Sequence, residues 1–177
     1  PVATGRRIIL VDRPVSVQSS IRVLGKGPLL RDSDRPLSSI LNSILGGGTG
    51  LGNRLAANLR ETHAWTYSPY SYFDANYYKG YFVAAADVRN EVTDSALTEL
   101  FSEIERMGSE PVAPDELKRN KQSAIGNYLM SVSNPTTTAV RVQSIDFYGL
   151  PKDYYQKLVA DYESVTPDVV QRLAKIY

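Results

Sequence analysis

Arg60 and Tyr67 fall seven positions apart in the stretch LRETHAWTY. Their side chains suit one task between them. An arginine presents a permanently charged fork of N–H donors, and a tyrosine presents a neutral hydroxyl donor. Aimed at one point, the two would hold a substrate carbonyl, or the oxyanion that forms when that carbonyl is attacked. Spacing restricts how they can meet. On one continuous helix seven residues span about 10 Å along the axis, and on one strand an odd separation sends side chains to opposite faces. Convergence therefore requires a helix that ends near Glu61, a reversal through residues 62–64, and a strand that begins at Thr66. The pattern reads that way. A bland alternative stays open at this level: an arginine beside a glutamate and a strand tyrosine packed on a sheet are ordinary features.

Other chemistries fail on residue type. Zinc centres draw on several His, Cys or carboxylate ligands, whereas His63 is the single histidine and cysteine is absent. The lack of cysteine suits a reducing cytosol and a periplasm alike. No G-x-S-x-G elbow frames a serine for a triad with His63, which reads as a surface or capping residue. Glu103 and Glu105 fall on different sides of one helical run and read as solvated surface. The glycines at 46, 47, 48, 50 and 52 lack the Gly-Lys of a phosphate-binding loop and the third glycine of a dinucleotide fingerprint. They read as a turn between two helices.

The elements that must position the pair follow from periodicity and punctuation. Residues 7–11 (RIILV) and 15–24 (VSVQSSIRVL) are rich in β-branched and aliphatic residues and read as strands around the Asp12-Arg13-Pro14 turn. Residues 36–45 place Leu37, Ile40, Leu41 and Ile44 on one helical face, and 51–61 place Leu51, Leu55 and Leu59 on a narrow one. Residues 66–73 and 80–88 read as paired strands. Only helices follow. Thr93 reads as the N-cap of a run to Met107, with Leu97, Leu100, Phe101, Ile104 and Met107 at helical spacing. Pro114, Asp115 and Glu116 open another helix, and Thr166, Pro167 and Asp168 repeat the signal. Strands gathered early and helices gathered late predict an α+β fold, a mostly antiparallel sheet packed against several helices.

The chain has 177 residues, enough for one domain with a substantial core. Its 20 Lys and Arg against 19 Asp and Glu give a net charge of +1 with no long block of either sign, which argues against a nucleic-acid surface. No apolar run approaches the roughly 20 residues of a membrane helix.

In their order along the chain, these motifs resemble a known family. LNSILGGGTGLGNRLAANLRETHAWTY is similar to the N-x-I-L-G-G-G, R-L, L-R-E and Y succession of insulinase and pitrilysin type zinc peptidases, which include the mitochondrial processing peptidase and bacterial relatives. IILVDRPVSVQSSIRV resembles the opening strands of a second family domain. KGYFVAAADVRNEVTDSALTELFSEIERM resembles its hairpin and following helix, and APDELKRNKQSAIGNYLMS the helix after that.

The resemblance implies a role. Proteins of this type pair two similar α+β domains across a chamber: the first carries the zinc motif H-x-x-E-H and a distal Glu, the second an Arg and a Tyr that hold the substrate backbone. No H-x-x-E-H occurs here. The chain is thereby identified as a single domain of the second, C-terminal kind over residues 1–177, a piece of a longer chain or part of a partner subunit. Arg60 and Tyr67 are the expected catalytic and substrate-binding residues, with no metal in this chain and zinc on the partner domain or subunit. Peptide substrates would add a strand to a sheet edge within the chamber. A dimer is compatible with the family, and the bacterial periplasm is its first expected compartment, the mitochondrion its second. Arg54 and Glu61 match family positions and are assigned to capping or to pairing across the helix; His63 and Trp65 either line the chamber or pack locally. The glycine cluster is too short to imply presequence binding, and the end at Tyr177, where family domains continue into a further strand, suggests truncation. The alternative implied by the same resemblance is a proteolytically inactive structural or binding subunit, like the core subunits of the bc1 complex.

Overall fold

The computed structural model describes residues 15–48 and 52–177. The strand expected at residues 7–11 and Leu51 of the second helix lie outside them.

Three strands form one antiparallel sheet in the order β1-β3-β2, where β1 is Gln18–Lys26, β2 is Tyr70–Ala75 and β3 is Gly80–Arg89. Period-two alternation sorts their side chains. Ile21 opposes Ala86 and Phe73 opposes Phe82 across the register, and these residues face the core. Against that face lie α1 (Asp34–Leu45), α2 (Thr93–Ser109) and α6 (Pro167–Ile176). Ile40, Ile44, Leu100, Met107, Val170 and Leu173 are fully buried between them. The α+β reading therefore holds, with an antiparallel sheet covered on one side by helices.

Helix starts follow their local signals. Pro114 opens α3 (Pro114–Val132), Pro135 opens α4 (Pro135–Tyr148), and α5 (Tyr154–Ser164) leads to Pro167 at the start of α6. Thr166 caps α6 by accepting from the Val169 amide at 3.3 Å, and Asn134 caps α4 by accepting from the Thr137 amide at 3.1 Å. Thr93 does otherwise. A short 3₁₀ turn, Asn90–Val92, precedes α2, and the Thr93 hydroxyl donates to the Asn90 carbonyl at 2.8 Å and lies 2.7 Å from the Ser19 hydroxyl, so it ties α2 to β1 instead of capping. Phe101 is also displaced from the expected apolar face: it is exposed, and Ala96 and Glu103 are buried on α2 instead.

No helix among the described residues is long and apolar enough to cross a membrane.

Candidate functional site

The site begins where α1 ends. The Gly46 amide returns to the Asn42 carbonyl at 3.0 Å, and the Gly46 carbonyl accepts from the Ser71 amide of β2 at 3.0 Å. A Cβ on Gly46 would sit 2.6 Å from Leu55 and 2.7 Å from Ser71 Oγ, so the first glycine is there to let two elements touch. Gly48 adopts φ +81°, a left-handed turn that needs no Cβ. Gly46–Gly48 end α1 in a turn; Gly50 of the cluster lies outside the described residues.

The next element departs from expectation. Asn53 Oδ1 accepts from the Ala56 amide at 2.8 Å and starts a helical run, but Ala56–Thr62 winds as a π-helix instead of an α-helix. Leu55 and Leu59 anchor it with no exposed surface. The wider winding is an uncommon form that recurs at functional positions. Its C-terminus is a nested pair of bonds: the Ala64 amide reaches the Arg60 carbonyl at 3.0 Å, and the Trp65 amide reaches the Leu59 carbonyl at 3.0 Å. This is a Schellman-type end widened by one residue, with Ala64 at φ +52° in the position usually held by glycine. Trp65 then packs on the core and stacks on His63, with ring centroids 4.1 Å apart and planes 16° apart.

That reversal brings the pair together. The Arg60 guanidinium carbon lies 4.5 Å from the centre of the Tyr67 ring, and Arg60 Nε lies 3.3 Å from Glu61 Oε1. Arg60 is partly sheltered, its side chain 29% exposed, whereas Tyr67 is 78% exposed. No described residue accepts from the two terminal nitrogens of Arg60. The reversal is longer than the sequence suggested: residues 66–69 are not strand, and β2 begins at Tyr70. Proline at position 69 cannot donate to a ladder, which accounts for the delay.

On α2 and α3 a polar network fixes the π-helix. Arg54 donates from Nε and Nη2 to the two carboxylate oxygens of Glu116, at 3.0 and 2.9 Å. Asn58 Nδ2 donates to Glu99 at 2.9 Å and to Glu103 at 2.8 Å. Glu103 is 4% exposed and also accepts from Arg106, so it is a buried structural carboxylate and not solvated surface. A hydrogen bond to Glu110, with the Glu103 charge beside it, raises the Arg106 pKa above its ordinary value. Arg54, Asn58, Glu103, Arg106 and Glu116 line a cavity of about 520 Å³ together with Thr62 and His63. Neither Arg60 nor Tyr67 borders that cavity. Glu116 was readable in sequence only as a first-turn acid, and nothing in local pattern announces that it meets Arg54 across 62 residues.

Among the described residues no group of three or more His, Asp or Glu side chains is placed to hold a metal ion.

The described residues thus define an α+β domain with helices against one face of its sheet and an arginine stacked on an exposed tyrosine beside it. Residues 1–124 match the family model described as the peptidase M16 inactive domain, and the chain belongs to that family. The match bears out the resemblance to insulinase and pitrilysin type peptidases. A peptidase M16 inactive domain from Pseudomonas fluorescens superposes with a TM-score of 0.84 at 25% identity, covering 92% of this chain and 38% of that one. The inactive peptidase domain of a putative zinc protease from Bordetella parapertussis gives 0.78 at 18% identity, covering 95% and 90%. The same fold recurs in complex III2 from Candida albicans, at 0.74, 13% identity, and 92% and 40% coverage. The chain thus spans about two fifths of the Pseudomonas chain. No curated protein matches the sequence.

Proposed function

We propose that this domain is the non-zinc-binding half of a zinc metallopeptidase, in which Arg60 and Tyr67 hold the substrate backbone and stabilise the oxyanion. The observation that carries the reading is the stacked pair itself. With the guanidinium 4.5 Å over its ring, Tyr67 is held by its face and its hydroxyl is left free to donate. The terminal Arg60 nitrogens, unpaired among the described residues, supply charged donors beside it. Zinc belongs to the partner domain or subunit on this reading, and the chain contributes binding and charge stabilisation only.

The test uses the assembled peptidase, this chain with its zinc-bearing partner. Tyr67→Phe keeps the ring under Arg60 and removes the hydroxyl. Turnover should fall by about 10²-fold, the range for losing one oxyanion donor, while zinc content is unchanged. Wild-type turnover in that variant would remove the proposed role. A second reading, an inactive subunit that keeps the fold for binding or assembly, is favoured by the likeness to a chain of complex III2. Under it, the assembled wild-type protein hydrolyses no peptide.

A further inference from the structure

Asparagine is a poor helix former, because its amide competes for backbone hydrogen bonds, so Asn58 inside a helical run needs a reason from outside the helix. Its side chain supplies one. The Asn58 amide nitrogen donates to two carboxylates one turn apart on α2, Glu99 at 2.9 Å and Glu103 at 2.8 Å. Glu103 is buried, and it is held in turn by Arg106. The Asn58 oxygen is buried too and accepts from no described residue, so the nitrogen alone sets the direction of the amide.

Asn58 stands where the winding is decided. Its carbonyl accepts from the His63 amide at 3.1 Å, five residues on, and the Thr62 hydroxyl repeats that separation by donating to the Ala57 carbonyl at 2.9 Å. An α-helix would close its bonds over four residues. Both ends of the wide segment are held independently. Arg54 is fixed to α3 through Glu116 before it begins, and Trp65 packs on the core after it ends, with its amide on the Leu59 carbonyl at 3.0 Å. Leu55 and Leu59 are fully buried and suit an α-helix equally, so the apolar face does not select the wider form. The extra residue is taken up between Asn58 and Trp65, and the grip of α2 on Asn58 keeps it there. Release into α winding would slip the ladder by one residue, a rotation of about 100° between Arg60 and the chain that leads to Tyr67. Their contact, 4.5 Å from guanidinium to ring centre, would be lost.

We infer that Asn58, clamped by Glu99 and Glu103, is a positioning residue: it holds the π winding that aims Arg60 and Tyr67 at one point. The inference rests on the substrate-binding reading of that pair. Asn58 acts through the turn, and π-helical segments recur at functional positions for this kind of use.

The test joins turnover by the assembled peptidase to a local probe. Trp65 is the one tryptophan of the chain and stacks on His63 just past the π-helix, so a fluorinated tryptophan placed in this chain alone reports the turn by its fluorine NMR resonance. Asn58→Asp keeps the shape and sets another carboxylate against Glu99 and Glu103, while Arg106 is already held by Glu103 and Glu110. It should shift the resonance and lower kcat by about 10- to 100-fold, the range for misplacing a catalytic group by about 1 Å. Adding Glu103→Gln to that variant restores the link with donor and acceptor exchanged, and should return both readouts to within about threefold of wild type. Thr62→Val is isosteric at an exposed position and removes only the side-chain bond spaced by five. It keeps the question open to test should Asn58→Asp fail to fold, and it should shift the resonance the same way with kcat about threefold lower. Tyr67→Phe should lower kcat with the resonance unmoved.

Wild-type kcat in both Asn58→Asp and Thr62→Val overturns the inference, whatever the resonance does. So does a loss of kcat that leaves the resonance in place or that Glu103→Gln does not restore. A resonance and a kcat that fall and recover together, while Tyr67→Phe keeps full turnover, would sustain the clamp and sink the oxyanion role. An assembled wild type that hydrolyses no peptide overturns the inference together with the reading beneath it.

Discussion

Ala64 holds the reversal that makes the Arg60 and Tyr67 pair, and it does so in a conformation alanine disfavours. A left-handed non-glycine residue costs roughly 1–2 kcal/mol, and Ala64 at φ +52° is the single such residue among those described. The two nested amide bonds behind it and the Trp65 ring locked on His63 over-determine the turn, so the cost is carried by neighbours. Replacing Ala64 by glycine removes the Cβ clash and adds back some unfolded-state entropy, for a net gain of about 1 kcal/mol. A calorimetric midpoint about 3 °C higher is expected, and an unchanged or lower midpoint would mean that the turn is not strained as described. Sequence reached this residue only indirectly. A reversal through 62–64 was legible because Arg60 and Tyr67 could meet in no other way. Its mechanism was not legible, since glycine is the usual sign of a left-handed cap and Ala64 carries none.

Elements differ in how far their own residues announce them. The proline starts at 114 and 167 act through one dihedral and one missing donor, local properties that survive any tertiary context, and those two helices begin where expected. The π-helix was beyond reach, because Leu55 and Leu59 at spacing four satisfy an α-helix as well. Its winding is set by long-range partners, Glu116 for Arg54 and Glu103 for Asn58. Glu103 was misread for the same reason: helical spacing cannot tell that a carboxylate faces a donor from another element, here Asn58. The α5 helix offers a test of such packing. Burial raises the Tyr154 pKa, with Arg35 opposing the shift, and burial likewise raises that of Tyr162. Arg35 Nη1 donates to the Tyr154 hydroxyl at 2.8 Å. A phenol whose folded pKa is raised binds its proton more tightly when folded. Its stabilisation is therefore complete below the unfolded value near 10 and is lost as pH rises through the folded value. The urea midpoint should fall above about pH 10 more steeply for wild type than for Tyr162→Phe, and parallel curves would show that α5 does not hold that ring in an apolar site.

At the scale of the molecule, the Arg60 and Tyr67 pair stands open to water. Tyr67 is 78% exposed, and water around it weakens any charge it could stabilise. The same donors in a site closed by a second wall act at lower effective dielectric, where each is worth several-fold more. The side chains here also offer no place for a metal among the described residues. On the proposed reading this chain contributes position and charge, and metal and enclosure come from a partner. Its match to only 38% of the Pseudomonas chain leaves room for such a second wall in proteins of that kind. The corresponding experiment separates the halves. This chain purified alone should hydrolyse no peptide with or without added zinc. Titrating it into a fixed amount of a separately expressed zinc-bearing partner should raise activity to a plateau at one equivalent, with the zinc remaining on the partner by elemental analysis. Replacing the chain by its Tyr67→Phe variant should leave the one-equivalent stoichiometry in place and lower the plateau by about 10²-fold, because docking and charge stabilisation draw on different residues. Hydrolysis by the isolated chain, or a partner fully active without it, would dismiss the composite site.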